Sequence, residues 1–434
     1  MSLQWMGLLA IVFLLALILL RVPVAIALIL IGFAGNGLLQ GIAPAVTQLQ
    51  LVTWEVAGNF AMLTIPMFIW MGQLAHATGL GRDVFYSFST WIGRAPGGLA
   101  VTSIVSSASF GAVTGSSIAT VMAMGNVLMP EMKRYRYDTA LAAGSLASGG
   151  VLAILIPPSI PLVFYGAWTE TSIGDLFVAG IIPGLLLTFL FSAYVLIHCK
   201  LNPSLGPKTE RYSWRQKWAS LRYLLPATSV LVFVLGSIYA GIATPTEAAA
   251  AGVLGVMIIG LLTHRLTVKK FIESIEQSAS ASCNIFLLLL GGVFFSRFIA
   301  QTGITESMIA AIAQLDVSPY LIIAVLVLMY LVLGAVLDTF GMILLTLPFV
   351  FPLILSLGYD PVWFGIFIVM MIELSLITPP IGINVFVMHR IIPETSIGTI
   401  FKGTFPFVLL TLLAIVLLVL FPEMALWLPA AMKS

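Results

Sequence analysis

Charge is what this chain has least of. Only 8% of its 434 residues are Asp, Glu, Lys or Arg, whereas 60% are hydrophobic and the mean hydropathy is +1.12. Soluble domains carry about 25% charged residues, so this is an integral membrane protein embedded in a lipid bilayer. Long polar stretches are missing too: no segment between apolar runs is much longer than about twenty residues, which leaves no room for a soluble catalytic domain. Cysteine is nearly absent. Cys199 and Cys283 fall at or near expected helix ends with no Cys or His set at metal-ligand spacing, so both read as structural and no zinc-type site is expected. A net charge of +2 gives no ground for nucleic acid as a partner. The N-terminus lacks the basic n-region and small-residue cleavage site of a signal peptide, so its apolar run is expected to stay as a membrane helix. No Ser/His, paired-Asp or metal-ligand constellation falls at mid-membrane depth, which argues against an enzyme. Gly111-x-x-x-Gly115-Ser116-Ser117 lacks the Lys and the preceding strand of a P-loop, so no nucleotide cofactor is expected.

What is there is a series of apolar runs, measured against the roughly twenty residues a membrane helix needs. In the first half they lie near residues 4–20, 24–40, 59–77 and 176–198, and in the second near 223–242, 246–262, 283–300 and 398–420. The mixed stretch Ile42–Gly58 and the amphipathic Leu80–Arg94 suit an interface. Two longer segments, 139–168 and 361–388, are cut by Pro157-Pro158 and Pro379-Pro380; each pair removes two amide donors and must break its helix. Two further segments, about 99–130 and about 319–355, have arms too short to cross and return, and read as re-entrant hairpins. The first carries the tip Gly111-Ala112-Val113-Thr114-Gly115-Ser116-Ser117, the second Gly334-Ala335-Val336-Leu337-Asp338-Thr339-Phe340-Gly341. Irregular backbone at that depth cannot face lipid and must line a polar cavity.

Landmarks recur at nearly constant offset, the sign of an internal repeat. Pro23 matches Pro245, Thr78-Gly79 matches Thr302-Gly303, Gly111-Ala112-Val113 matches Gly334-Ala335-Val336, Pro130 matches Pro352, Pro157-Pro158 matches Pro379-Pro380, and Pro183 matches Pro406. The expected fold is therefore an all-α polytopic membrane protein of two repeats, residues 1–199 and 223–434, joined by a linker at 200–222. Each repeat holds five crossings and one hairpin, and an odd number of crossings inverts the second copy. Placing the linker in the cytoplasm puts 17 of the 19 basic residues on that face, leaving out only Arg297 and Lys433; by the positive-inside rule both termini are then periplasmic.

The first tip's glycines allow close backbone approach, and its hydroxyls and freed carbonyls offer the hard oxygen ligands an alkali cation takes. Small-residue helix packing is the competing reading. The breaks at Pro157-Pro158-Ser159 and Thr378-Pro379-Pro380 leave carbonyl ends and amide ends beside the tips, which suits a cation together with an anionic substrate. Asp338 is a carboxylate at a tip, where insertion costs about 2.5 to 3.5 kcal/mol, and reads as part of or beside a cation site. The candidate sodium ligands are thus Gly111, Thr114, Gly115, Ser116, Ser117 and Pro157 in the first half and Gly334, Asp338, Thr339, Gly341, Thr378 and Pro379 in the second. Candidate substrate contacts are Ser117, Ser159, Pro380, Asn384 and Arg297, the last with membrane-edge snorkelling as its alternative. Glu373 serves either interhelix bonding or coupling. Thr244-Pro245-Thr246-Glu247 reads as a capping box.

Leu63-Thr64-Ile65-Pro66, Gly115-Ser116-Ser117-Ile118-Ala119, Ile156-Pro157-Pro158-Ser159, Gly180-Ile181-Ile182-Pro183-Gly184, Tyr239 to Ala249 and Ile377-Thr378-Pro379-Pro380-Ile381-Gly382 together resemble the large membrane subunit of tripartite ATP-independent periplasmic (TRAP) transporters, over nearly the whole chain. The resemblance implies an elevator-type secondary transporter in a bacterial inner membrane, importing organic acids (small carboxylates) with sodium ions. It also implies a small four-helix membrane subunit, a periplasmic substrate-binding protein, and sodium sites at the tips and proline breaks. An autonomous sodium/dicarboxylate symporter and an ion channel are the alternative readings.

Overall fold

Proline, glycine and capping hydroxyls set the ends of the helices. The computed structural model describes residues 2–315 and 317–433. Its first half runs α1 (Leu3–Leu19), α2 (Val24–Gln40), α3 (Ile42–Gly58), a 3-10 turn (Phe60–Leu63), α4 (Thr64–Ala77), α5 (Leu80–Ile92), α6 (Gly98–Thr114), α7 (Ser117–Arg134), α8 (Thr139–Leu155), α9 (Ile160–Thr169) and α10 (Ile173–Leu201). The second runs α11 (Trp214–Tyr239), α12 (Pro245–Leu262), α13 (Val268–Thr302), α14 (Ile304–Gln314), α15 (Pro319–Leu333), α16 (Thr339–Ser356), α17 (Pro361–Leu376), α18 (Ile383–Ile391), α19 (Ile397–Leu420) and α20 (Glu423–Lys433).

The repeat is visible in these boundaries. α6 to α10 begin at residues 98, 117, 139, 160 and 173, and α15 to α19 at 319, 339, 361, 383 and 397. The long α13 corresponds to α3 and α4 together, which the 3-10 turn interrupts in the first half. Among the described residues, eight helices or helix pairs are long and apolar enough to span a bilayer, and α1, α2, α6, α15 and α17 are shorter apolar helices. The protein is thus an all-α polytopic membrane protein with two inverted repeats.

Three local features depart from the sequence reading. Helix α11 starts at Trp214, inside the stretch read as linker, because Ser213 and Gln216 close a capping box there. Trp91 packs edge-on against Trp214 and Trp218 while Lys217 lies over Trp91 and Trp214, an aromatic and basic cluster suited to a membrane interface. Helix α13 begins at Val268, well before the expected crossing, with Thr267 as its cap. Helix α20 was not expected at all; Pro422 ends α19, and Ala425 and Pro429 bury the new helix. The Thr244 box forms as read, with Glu247 accepting from the Thr244 amide and Thr244 from the Glu247 amide.

Burial divides the helices. α8 is buried without a gap from Leu141 to Leu155, and α17 from Trp363 to Leu376, whereas α11 exposes Leu225, Val232 and Phe233. The broken helices therefore form the centre, and α11 lies at the periphery. Small residues let α8 meet α19: a side chain on Gly144 would strike the Gly403 carbonyl, and one on Gly403 the Ala140 carbonyl, the close backbone approach that holds membrane helices together. Between α4 and its neighbours, the Thr64 and Thr246 hydroxyls bond at 2.5 Å and the Trp70 indole donates to Ser274. Among the described residues, four ion pairs link distant segments: Lys133 with Glu394, Arg265 with Asp83, Lys433 with Asp175 and Arg297 with Glu55. Each joins residues that the inverted-repeat topology assigns to one face of the membrane.

Candidate functional site

The first hairpin turns between α6 and α7. Gly115 takes φ +59, a left-handed conformation that costs glycine nothing, and Ser116 then caps α7 by accepting from the Ala119 amide. Thr114 bonds Thr120 across the turn at 2.9 Å. This tip rests on the first break. A Cβ on Gly115 would lie 2.9 Å from the Pro158 carbonyl, and one on Gly111 would collide with Ala153. Pro157-Pro158 is a cis peptide, and Ser159, fully buried, caps α9.

The second hairpin repeats this arrangement. A Cβ on Gly334 would collide with Ser375, and Gly334 and Ser375 are the repeat counterparts of Gly111 and Ala153. Asp338 occupies the place of Ser116 as the cap of α16, accepting from the Gly341 amide at 3.1 Å. The Thr378 hydroxyl donates back to Leu374, Pro379-Pro380 is cis, and Gly382 turns left-handed into α18. One difference separates the halves: Pro157 and Pro158 are buried, whereas Asp338, Pro379 and Pro380 are exposed.

Both tips reach one cavity of about 190 Å³, lined by Thr114, Gly115, Ser116 and Ser117 from the first and Thr339 and Phe340 from the second. Ile160 and Pro161 at the start of α9 and Leu376 at the end of α17 bring in the breaks, while Gln73 of α4 and Ala281 and Ile285 of α13 close the far wall. Four helices begin at the tips and breaks, α7, α9, α16 and α18, and four end there, α6, α8, α15 and α17. Helix starts present amide hydrogens and partial positive charge, and helix ends present carbonyl oxygens and partial negative charge. Such an arrangement is chemically able to hold an anion and cations side by side. The oxygen-rich tips with glycine cradles fit small hard cations.

Of the candidate residues, Thr114, Gly115, Ser116, Ser117 and Thr339 line this cavity, whereas Gly111, Pro157, Ser159, Gly334, Asp338, Gly341, Thr378, Pro379 and Pro380 do not. Asn384 is fully buried behind it, its amide donating to the Ser117 hydroxyl at 2.8 Å and to the Ala147 carbonyl at 3.1 Å. Arg297 pairs with Glu55 near the end of α13 and does not line the cavity; one guanidinium cannot hold that carboxylate and reach the tips. A partly exposed pair of this kind contributes about 0.2 to 1 kcal/mol. Exchanging its charges, Arg297→Glu with Glu55→Arg, is expected to leave uptake within about twofold of the unaltered protein; a loss of substrate affinity in a transport assay would return Arg297 to the substrate site. Gln73 lines the cavity without being among the sequence candidates; an amide within the apolar run 59–77 is the signal that marks it.

Residues 11–424 match the family described as "Tripartite ATP-independent periplasmic transporter, DctM component". The chain belongs to this family. The permease is 31% identical over 386 residues to the C4-dicarboxylate TRAP transporter large permease protein DctM of Pseudomonas aeruginosa, covering 89% of this chain and 90% of that one. It is 33% identical over 370 residues to the ectoine TRAP transporter large permease protein TeaC of Halomonas elongata, covering 85% and 86%. Among solved structures, the YdaH transporter of Alcanivorax borkumensis aligns with a TM-score of 0.56 at 16% identity, over 88% of this chain and 89% of that one; this is a likeness of fold. The permease is accordingly a secondary transporter subunit of a tripartite system.

Proposed function

We propose that the permease imports a small carboxylate with sodium across the bacterial inner membrane, both termini facing the periplasm. In this reading a periplasmic binding protein delivers the substrate and a small four-helix subunit braces the lipid-facing helices. The observation that carries it is that both hairpin tips line a single cavity together with the start of α9 and the end of α17, the helix ends next to the two proline breaks. The volume of about 190 Å³ is below the roughly 300 to 1,000 Å³ of sites for drug-sized ligands, which favours a small acid. The relatives named for C4-dicarboxylate and for ectoine share a carboxylate among their substrates' groups.

Sodium would be held in the first half by oxygens of Gly111, Thr114, Gly115, Ser116, Ser117 and Pro157, and in the second by those around Gly334, Asp338, Thr339, Gly341, Thr378 and Pro379. The substrate carboxylate would meet the starts of α7 and α16 and the Gln73 amide. The cavity lining contains no Lys or Arg, so amide dipoles and bound sodium supply the positive charge. Coupling follows if sodium orders the tips before substrate binds, because a half-ordered unit then crosses poorly.

The partner requirement is tested in proteoliposomes holding the permease and its small subunit. Uptake of a labelled carboxylate is expected only when the binding protein is added outside. Equal uptake without it would favour an autonomous symporter, and single-channel currents would favour a channel.

A further inference from the structure

The transport reading leaves one group without a role. Glu373 lies in the last turn of α17, wholly buried, and neither carboxyl oxygen meets the geometry of a hydrogen bond. The Ser117 hydroxyl lies beside its carboxyl. Among the described residues, none of the ion pairs includes it. A third orphan acceptor comes from Asn384. Because its amide nitrogen donates to the Ala147 carbonyl, which can only accept, the orientation of the side chain is fixed. Oδ1 is left buried and unpartnered.

Gly150 completes the cluster. A Cβ there would meet Val121 Cγ2 at 2.4 Å and would lie 2.9 Å from Asn384 Nδ2 and 3.0 Å from Ser117 Oγ, so only glycine lets these groups come together. Gly150 and Glu373 are counterparts in the two repeats, and both adjoin Ser117. The repeat thus brings a vacant position against a charged one, giving a single acidic cluster rather than two.

Two carboxyl oxygens and one amide oxygen lacking donors are an excess of acceptors. Buried charges in proteins are paired or coordinate metal ions, and hard oxygen donors suit hard cations. We infer that Glu373, Asn384 Oδ1 and Ser117 Oγ bind a sodium ion behind the first hairpin tip, apart from the ions held at the tips and breaks. The inference rests on the sodium-coupled reading above. Ser117 belongs both to this cluster and to the cavity wall, so filling the cluster fixes the tip from behind. An ion here neutralises Glu373 and lets the carboxylate cross the membrane paired.

The test uses the complete tripartite system in proteoliposomes, with the sodium-to-substrate ratio measured from the opposing gradient that stops net uptake. Glu373→Gln is expected to move one sodium ion fewer per substrate. In detergent, it should also lose part of the thermal stabilisation that sodium gives the unaltered permease. Gly150→Ala narrows the same space, keeps the carboxyl and should weaken sodium binding in the same assay, which keeps the test open if Glu373→Gln does not fold. An unchanged ratio and unchanged sodium stabilisation in Glu373→Gln would overturn this site. An unchanged ratio with altered pH dependence would also overturn it, assigning a proton to Glu373 instead. Uptake by the unaltered protein that ignores sodium would refute the coupling reading itself, a different failure.

Discussion

Gly334→Ala is expected to cut transport about 100-fold in a protein that still folds, and a second change, Ser375→Gly, is expected to restore much of it. The added Cβ would overlap the Ser375 side chain, so the second tip must lift away from the second break. Overpacking of this kind costs about 1 to 3 kcal/mol, which a membrane protein of this size survives. The damage falls on geometry instead. A displacement of about 1 Å at a positioned site costs about 10²-fold in rate, and uptake should fall by about that factor while thermal stability drops by only a few degrees. Removing the Ser375 side chain clears the overlap, which a general loss of packing would not explain. Initial uptake rates and thermal melts of both variants decide the matter; a Gly334→Ala protein that transports normally would show that tip and break need not touch. Gly111→Ala, whose Cβ would collide with Ala153 backbone, should be as damaging, but no side-chain deletion at Ala153 can rescue it.

The second large effect concerns Asp338, which has two roles that substitution can separate. It caps α16, and Asn caps as well as Asp does, whereas Ala at a cap costs about 0.5 to 2 kcal/mol. Only the carboxylate carries charge. A unit charge at about 4 Å from a cation is worth about 4 kcal/mol at an effective dielectric constant of 20, and each 1.4 kcal/mol lost is about tenfold in affinity. Asp338→Asn should therefore keep wild-type stability and raise the sodium concentration for half-maximal uptake about tenfold or more. Asp338→Ala should do the same and also lower the melting temperature. Unchanged sodium dependence in Asp338→Asn would reduce Asp338 to a cap.

The sequence displays the architecture because its punctuation is local. Pro157-Pro158 and Pro379-Pro380 break helices wherever they stand, and Gly115 permits the left-handed turn that the first tip adopts. Their recurrence at constant offset reveals the repeat before any contact is known. Other features depend on partners far along the chain. Arg297 near a span end gives no sign of Glu55, 242 residues away. Asn384 reads as a cavity residue until Ser117 and Ala147 are seen to hold it behind the tip. Gln73 joins the cavity through the way α4 packs beside the hairpin, and no counterpart in the second repeat draws attention to it. Asp338 shows both kinds of information at once. Its charge at membrane depth marks it in the sequence, and its role as a cap emerges only when α16 begins at Thr339.

Sodium dependence is the most direct test of the account as a whole. The permease, its small subunit and the loaded binding protein are placed in proteoliposomes, and uptake is followed with sodium outside, with sodium equal on both sides, and with potassium replacing it. Substrate should accumulate above its external concentration only under the inward sodium gradient. Accumulation that is the same in potassium would contradict the claim that the two hairpin tips and proline breaks couple sodium to the substrate.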